Sequence, residues 1–227
     1  MLYHSFMEGK KMKKNKLLIS GVFLSLILFV SCASKNTSAY TTGIENDVHV
    51  CKNLRPVYIT NSKKVYLLSP EHFDYPVDTI QKIEGTYGNK SFSMLAYIQS
   101  DFNGISVSLF NNFGVDMGNL SFSKEKASFT SSIFEGKLLP EYIICDIQNA
   151  IYDSKALYAN YQAAGLEFSN VLIDFEVAHP VYGAWVEERT VYEGNTVIEE
   201  IYISSGRIDI KNHLRGYSYT LTSAEGS

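Results

Sequence analysis

The chain is predicted to be mainly β, an α+β fold in which an antiparallel meander carries a helical insertion. Apolar and polar residues alternate with period two through most of the chain after Val57, which is typical of half-buried strands. Turn signals that contain Gly or Asn separate these runs. The 16 Tyr and 13 Phe, against only five Pro, also favour a sheet. A meander of this length can curl into a barrel or half-barrel.

The N-terminal segment has the three-part layout of a secretory signal. In residues 12–32 a lysine-rich start is followed by an apolar stretch and by a small residue before Cys32. We therefore predict that residues 1–31 are a signal peptide and that residues 1–11 lie upstream of the true start. The alternative is a plain signal or an uncleaved anchor in which Cys32 is incidental.

The residues that precede Cys32, Leu-Phe-Val-Ser, resemble the lipobox of bacterial lipoproteins, in which the cysteine is diacylated and becomes the first residue. This resemblance implies lipid attachment at Cys32 and a membrane partner reached through that N-terminal lipid. The protein is then expected in the bacterial cell envelope. Ala33 and Ser34 are not the aspartate that favours inner-membrane retention in some bacteria, so we expect the outer membrane.

Residues 32–50 hold the lipidated cysteine and a segment rich in Ser, Thr and Asn, which we predict to be a flexible tether. Residues 51–227 are expected to form a single β domain. Removing residues 1–31 takes away five lysines and one glutamate and leaves 15 basic and 23 acidic side chains, a net charge of −8. This sign excludes a nucleic-acid partner, because phosphate backbones attract basic surfaces.

The strands are predicted where alternation is strongest. Ile105, Val107 and Leu109 share one face of a strand that follows the Asn103-Gly104 turn signal. Three further runs alternate in the same way, and their apolar members are Phe92, Met94, Ala96 and Ile98, then Ile208 and Ile210, then Tyr217, Tyr219 and Leu221. Further turns are expected at Gly88-Asn89, Gly194-Asn195 and Ser205-Gly206.

Two segments break the alternation and are predicted to be helices that cover an open end or face of the meander. In residues 138–152 the apolar positions recur at helical spacing, with Ile143 and Ile147 on the inner face and Gln148 outward. Residues 154–164 follow, with Ser154 as N-cap and Gly165 at the C-terminal end.

The remaining cysteines, Cys51 and Cys145, form an even pair in an oxidising compartment if Cys32 is acylated. A disulfide between them is one interpretation, and two separate small apolar residues are the other. Neither cysteine has metal-ligand spacing to another Cys or His, so we predict no metal site from them.

No motif predicts catalysis or a bound cofactor. The histidines are scattered without metal-ligand spacing, and no serine lies in a nucleophile elbow. Asp146 and Asp174 have apolar neighbours, which permits an acid with a raised pKa, but we expect both on exterior positions. The pairs Glu187-Glu188 and Glu199-Glu200 point to opposite faces of a strand. We therefore predict that the chain is not an enzyme, leaving a hydrolase as the weakest hypothesis.

Three motifs together are similar to a known group. These are the helix LLPEYIICDIQNAIY, an R-x-x-Y-x-G-N hairpin at residues 189–195, and a closing NHLRGYSYTL at residues 212–221. Their order resembles a family of bacterial lipoproteins of unassigned function among the LolA/LolB-like proteins, over residues 65–222. The resemblance implies a curved antiparallel sheet that forms an incomplete barrel covered by two or three helices. Residues 170–185 look longer than the family pattern and suggest a loop with an extra strand.

The resemblance bears on whether the interior is a cavity or a core. In LolA and LolB the interior takes lipoprotein acyl chains, which implies an apolar cavity here, lined by Phe92, Met94, Ile105, Val107, Leu109 and Tyr142. The first hypothesis is therefore an acyl-anchored lipoprotein that binds or handles lipid or lipoprotein acyl chains. The alternative is a structural or assembly lipoprotein with a filled core that acts through protein contacts.

Overall fold

The computed structural model describes residues 48–134 and 138–224. The predicted signal peptide over residues 1–31, the lipid-attachment residue Cys32 and the tether up to residue 47 lie outside the described residues. Within the described ranges the elements are β1 (Val57–Tyr58), β2 (Lys64–Val65), a 3-10 turn (Pro70–His72), β3 (Val77–Tyr87), β4 (Lys90–Asp101), β5 (Gly104–Phe110), β6 (Asp116–Ser123), β7 (Lys126–Ser131), α1 (Pro140–Ile151), α2 (Ser154–Ala163), β8 (Glu167–His179), β9 (Gly183–Glu193), β10 (Thr196–Ser204), β11 (Arg207–Asn212) and β12 (Tyr217–Ser223).

One antiparallel sheet of ten strands dominates the fold, which confirms the mainly β prediction. Its strand order is β7-β6-β5-β4-β3-β12-β11-β10-β9-β8, and β1 and β2 form a separate two-stranded sheet. Eight of the nine neighbouring pairs are consecutive hairpins, and β3 pairs with β12 to join the two halves. The sheet is not closed into a barrel, because β7 and β8 are its two edges.

The two helices lie in the connection between the edge strands, as the break in alternation predicts. α1 contacts β6 and β7 at one side of the sheet and β10 towards the other, and α2 packs on β8. Five strands separate β6 from β10 in the sheet order. The sheet therefore curves around α1, and the helix occupies its concave face.

Strand alternation is confirmed by burial. Ile105, Val107 and Leu109 of β5 are buried, whereas Ser106 between them is exposed. The predicted glycine turns also form, and at Gly104 the backbone has φ +152°. A Cβ at this position would lie 1.9 Å from the carbonyl oxygen of Phe122, so β5 and β6 can approach here only without a side chain.

The predicted outward position of Gln148 on α1 is wrong. Gln148 is only 2% exposed, whereas Ile143 and Ile147 are half-buried at the edge of the core. The helix is covered on more than one side, because the segment after β2 crosses it and meets Gln148 at Leu68. A helical pattern identifies one apolar face, but it does not show a second packed face that is polar.

The start of α2 also differs from the prediction by one residue. Asp153, not Ser154, is the N-cap, and its Oδ1 accepts the backbone N–H of Ala156 at 2.8 Å. A carboxylate at this position interacts favourably with the partial positive charge of the helix N-terminus. Gly165 follows the helix with φ +70°, which fits its predicted place at the C-terminal end.

Residues 170–185 form neither a loop nor an additional strand. They are the distal part of one long hairpin between β8 and β9, whose register shifts between Asp174 and His179. The chain reverses just before Gly183, which has φ +77°. The extra length therefore extends an existing pair of strands.

Residues 48–50, in the range predicted as tether, lie against the domain. Val50 forms a β-bridge with Leu68, and the N–H of Cys51 donates to the carbonyl of Leu67 at 2.8 Å. Among the described residues, no helix has the length and apolar character needed to cross a membrane.

Candidate functional site

The six residues predicted to line a cavity fall into two groups. Met94, Ile105, Val107 and Leu109 are buried together in the main core, and Phe92 packs against that core from a half-buried position. These side chains contact other core side chains on the concave face that α1 occupies. Tyr142, at the start of α1, instead lines a depression at the surface.

Cys51 and Cys145 are both free and buried, which agrees with the interpretation as two separate small apolar residues and not with a disulfide. The Cys51 thiol faces the carbonyl of Leu68 at 3.9 Å, and the Cys145 thiol lies 4.0 Å from the hydroxyl of Tyr161. The two side chains are thus engaged with different partners. Burial raises the pKa of Cys51 to about 11, which keeps this thiol protonated.

The concave face is polar where α1 crosses β10–β12. The carboxylate of Asp146 on α1 accepts the hydroxyl of Tyr217, which lies 2.9 Å from Oδ1 and 2.8 Å from Oδ2, and its Oδ2 also accepts the hydroxyl of Tyr219 at 3.1 Å. Both tyrosines belong to β12, and their rings stack with centroids 6.1 Å apart. Asp146, which we expected on the helix exterior, therefore faces the sheet, while Asp174 is exposed as predicted.

A second carboxylate, Glu199 of β10, lies in the same polar region. Its Oε1 accepts from the side-chain amide of Asn149 at 2.9 Å, and its Oε2 accepts from that of Asn212 at 2.8 Å. Asn149 in turn accepts from the hydroxyl of Tyr161 at 2.9 Å. These contacts join both helices to β10 and β11 through buried side chains. We call Asp146, Glu199 and their hydrogen-bond partners the acid network.

Electrostatics in the acid network favour the neutral forms of both acids. Burial raises the pKa of Asp146 well above its usual range, and the charge of Glu199 raises it further, against the two tyrosine hydroxyls, which lower it. Burial likewise raises the pKa of Glu199, although the two asparagine amides lower it. Both shifts follow from the cost of holding a charge away from water.

Arg215 connects the acid network with the surface. Its charge lowers the pKa of both Asp146 and Glu199, and its guanidinium lies over the ring of Tyr142 at 4.4 Å from the centroid. It also donates to the carbonyl oxygen of Tyr58. Arg215, Tyr142 and Tyr58 border a depression of about 520 Å³. Its other lining residues are Thr60, Asn61 and Leu214.

The C-terminus of α1 is held by a cation from another element. Arg189 of β9 is 5% exposed, and its Nη1 donates to the carbonyls of Asn149 at 3.1 Å and Tyr152 at 2.8 Å. Its Nε donates to the carboxylate of Glu187 at 2.7 Å. Helix carbonyls at this end have no partner within the helix, so Arg189 satisfies them.

The hydrogen bonds of the acid network attach α1 to the sheet, which indicates a structural role. The oxygens of Asp146 and Glu199 accept from hydroxyl and amide donors, and Glu199 is buried while Asp146 is half-buried. Sequence analysis did not identify Glu199, Asn149 or Asn212 as members of a site. Two sequence motifs could have indicated the network. The closing motif NHLRGYSYTL contains Asn212, Tyr217 and Tyr219, and the helix motif LLPEYIICDIQNAIY contains Asp146.

The distal part of the β8–β9 hairpin, residues 170–186, exposes several large apolar side chains at an edge of the sheet, and we call it the hairpin arm. Leu172 is 62% exposed and Val177 is 83% exposed. Further exposed apolar side chains on the arm are Val171, Val181 and Trp185. Asp174 and Glu176 are the charged residues of the arm, which has no Lys or Arg.

The hairpin arm is held by a row of aromatic rings on its inner side. The rings of Phe175 and His179 are 5.1 Å apart, those of His179 and Tyr182 are 5.1 Å apart, and Tyr182 stacks on Tyr202 of β10 at 5.9 Å. The exposed apolar residues are therefore presented on a supported pair of strands. β8 is also an edge strand of the sheet, so none of the described strands pairs with its outer backbone groups.

Comparison with known protein families identifies the family of the chain. The model of a family described as a protein of unknown function (DUF3261) matches residues 78–225, from β3 through β12 and including both helices. No curated protein matches the chain.

Proposed function

Since the chain belongs to DUF3261, a family of proteins of unknown function, we propose its function from its own residues. We propose an acyl-anchored envelope lipoprotein, related to the LolA/LolB-like proteins, that acts by docking a protein partner on the hairpin arm. The single observation that carries this proposal is the exposure of large apolar side chains along the arm, with Leu172 and Val177 most exposed.

Exposed apolar residues concentrated on one feature favour an interaction surface. Isolated exposed apolar side chains are ordinary, whereas the arm carries five of them within residues 171–185. The arm adds an edge strand, β8, whose free backbone groups can pair with an extended segment of a partner. Side-chain pockets and main-chain hydrogen bonds would then act together on the same partner.

Charge favours a protein over a membrane surface as the partner. The arm contains Asp174 and Glu176 and no basic residue, and the mature chain has a net charge of −8. Anionic lipid headgroups attract basic segments and repel acidic ones. A protein with apolar side chains surrounded by basic residues complements the arm better.

The lipoprotein part of the proposal is supported by residues 12–32, with their lysine-rich start, apolar stretch and lipobox-like end at Cys32. The relation to LolA/LolB-like proteins is supported by an open antiparallel sheet whose concave face holds a helix. An N-terminal lipid and a tether would keep the arm near the membrane and leave it free to meet partners in the envelope.

Site-specific photocrosslinking in the intact bacterium tests the docking proposal. A benzophenone amino acid is placed at Leu172, and at Phe113, an exposed apolar residue on the turn between β5 and β6, as the matched control. We expect a protein adduct of one discrete mass at Leu172 only, and we expect Val177→Asp to abolish it. Crosslinks to lipid alone, or equal adducts at Phe113, would contradict the proposal.

Acyl-chain binding is the second candidate, and the apolar half of the concave face favours it. Met94, Ile105, Val107 and Leu109 form a continuous apolar surface beneath the region of α1, so displacement of the helix would offer an apolar groove. Uptake of a fluorescent fatty acid by the full chain, lost on Val107→Trp, is the expected result for this function. If the parent protein takes up no fluorescent fatty acid, acyl-chain binding is ruled out and docking remains as the proposed function.

A further inference from the structure

Three side chains with metal-binding chemistry meet where the chain enters the domain. His49 belongs to the segment before β1, and Glu71 and His72 belong to the 3-10 turn after β2. One ligand atom from each of the three residues lies within 4.8 Å of the other two. The sequence alone predicts no such set, because His49 and His72 are 23 residues apart and have no recognisable metal spacing.

We propose that His49, Glu71 and His72 form a binding site for a divalent transition-metal ion, with Zn²⁺ as the best-suited ion. Two imidazoles and one carboxylate are a donor set that zinc uses with three protein ligands and one open position. Mg²⁺ and Ca²⁺ prefer oxygen ligands in larger number, so the set discriminates against them.

The backbone fixes the relative positions of these residues. The carbonyl of His49 accepts the N–H of Ser69 at 2.9 Å, and the N–H of His49 donates to Nε2 of His72 at 3.0 Å. The carbonyl of His72 accepts the N–H of Asp153 at 3.0 Å. Together with the bridge between Val50 and Leu68, these bonds hold the two segments side by side.

The side chains need only small adjustments to bind an ion. Ligands about 2.0–2.2 Å from a tetrahedral zinc lie roughly 3.3–3.6 Å from one another. The side chains of His49 and Glu71 are 58% and 44% exposed, so they have room to rotate towards the ion. Nδ1 of His49 already faces Oε1 of Glu71. Nε2 of His72 carries no proton, because it accepts the N–H of His49, and an ion bound at Nε2 would take the place of that N–H.

Charges around the set are mixed. Glu71 supplies a negative charge and Asp153 acts electrostatically on His72, whereas Lys124 acts on Glu71 as a neighbouring cation. The expected affinity is therefore that of an accessible site that exchanges with solvent. One bound ion would thus tie the last residues of the predicted tether to the turn that precedes β3. The set also lies before residue 78, outside the part of the chain that matches the family.

Zinc binding to the full chain in detergent tests the proposal. Calorimetric titration with Zn²⁺ compares the parent with His72→Ala, Glu71→Gln and the matched control His179→Ala, a histidine on the hairpin arm. We expect one ion per chain, unchanged binding in His179→Ala, and a loss of at least about 100-fold in His72→Ala, beyond the 10–100-fold typical of outer-shell changes. Absence of saturable binding in the parent would overturn the proposal.

Cobalt substitution separates this site from metal binding by a cysteine thiolate. Co²⁺ bound by His and Glu shows visible d–d bands without the near-ultraviolet thiolate charge-transfer band. We expect that spectrum for the parent and its loss in His49→Ala. A thiolate band, or a spectrum unaffected by His49→Ala, would identify the contact of His49 with Glu71 as an ion pair only.

Thermal unfolding gives an independent readout that does not depend on spectroscopy. An ion that binds only the folded chain raises its melting temperature by mass action. Zn²⁺ should raise the melting temperature of the parent and of His179→Ala and leave that of Glu71→Gln unchanged. Because Glu71→Gln preserves size and the turn, an equal rise in this variant would contradict the site.

Discussion

Gln148 and Leu68 form a closed pair of hydrogen bonds between α1 and the segment after β2. Nε2 of Gln148 donates to the carbonyl of Leu68 at 2.8 Å, and Oε1 accepts the N–H of Leu68 at 3.0 Å. Both residues are buried, so the side-chain amide replaces a strand partner for this peptide unit.

Replacing Gln148 with alanine should therefore destabilise the domain. The change leaves the buried N–H of Leu68 without a partner and its carbonyl with only the weak thiol contact of Cys51. A buried group left unpaired typically costs about 1–3 kcal/mol. Urea unfolding should show this loss in the free energy of unfolding. The matched control is Gln162→Ala on the exposed face of α2, for which we expect little change. Equal effects of the two changes would contradict the assigned role of Gln148.

Asp146→Asn should flatten the dependence of stability on pH. Because the pKa of Asp146 is raised in the folded state, its protonated form stabilises the fold below the ordinary carboxyl pKa of about 3.9, and this contribution is lost as pH rises through the folded-state pKa. Asparagine has no proton to lose and still accepts from Tyr217. The free energy of unfolding should thus fall with pH less steeply in the variant. Glu84→Gln on β3, which is exposed, should keep the slope of the parent.

Arg189→Met should weaken the attachment of α1 to the sheet. The change removes the donors to the carbonyls of Asn149 and Tyr152 and leaves Glu187 without its cation. Glu187 is partly exposed, so the main cost is that of the buried helix carbonyls left unpaired, typically about 1–3 kcal/mol each. Arg207→Met is the matched control, because Arg207 pairs with Asp209 two residues away at a more exposed site, where we expect about 1 kcal/mol or less. If Arg207→Met lowers the free energy of unfolding more than Arg189→Met does, the hydrogen bonds from Arg189 to the helix carbonyls are unimportant for stability.

Val107→Trp should destabilise the domain if side chains fill the concave face. Val107 is 5% exposed and lies among core residues, and enlargement at a well-packed site typically costs about 1–3 kcal/mol. Ser106→Trp is the matched control on the exposed face of the same strand. A melting temperature unchanged by Val107→Trp would instead indicate free volume and favour the acyl-binding candidate.

The sequence by itself determined the class of the fold and the orientation of most strands. Alternation in β5 places Ile105, Val107 and Leu109 on the inner face, and glycine turns such as Gly104 separate the strands. These features depend on neighbours within a few residues, because side chains of a strand alternate between its two faces. Helix positions follow for the same local reason.

The tertiary structure alone decided which polar residues are buried. Gln148 meets a partner 80 residues away, Asp146 meets tyrosines 71 and 73 residues away, and His49 meets His72 across 23 residues. A polar side chain is costly in the interior unless a partner satisfies it, and no local pattern states which distant segment will supply that partner. For this reason the apolar faces were predictable, whereas the acid network and the three-residue metal site were not.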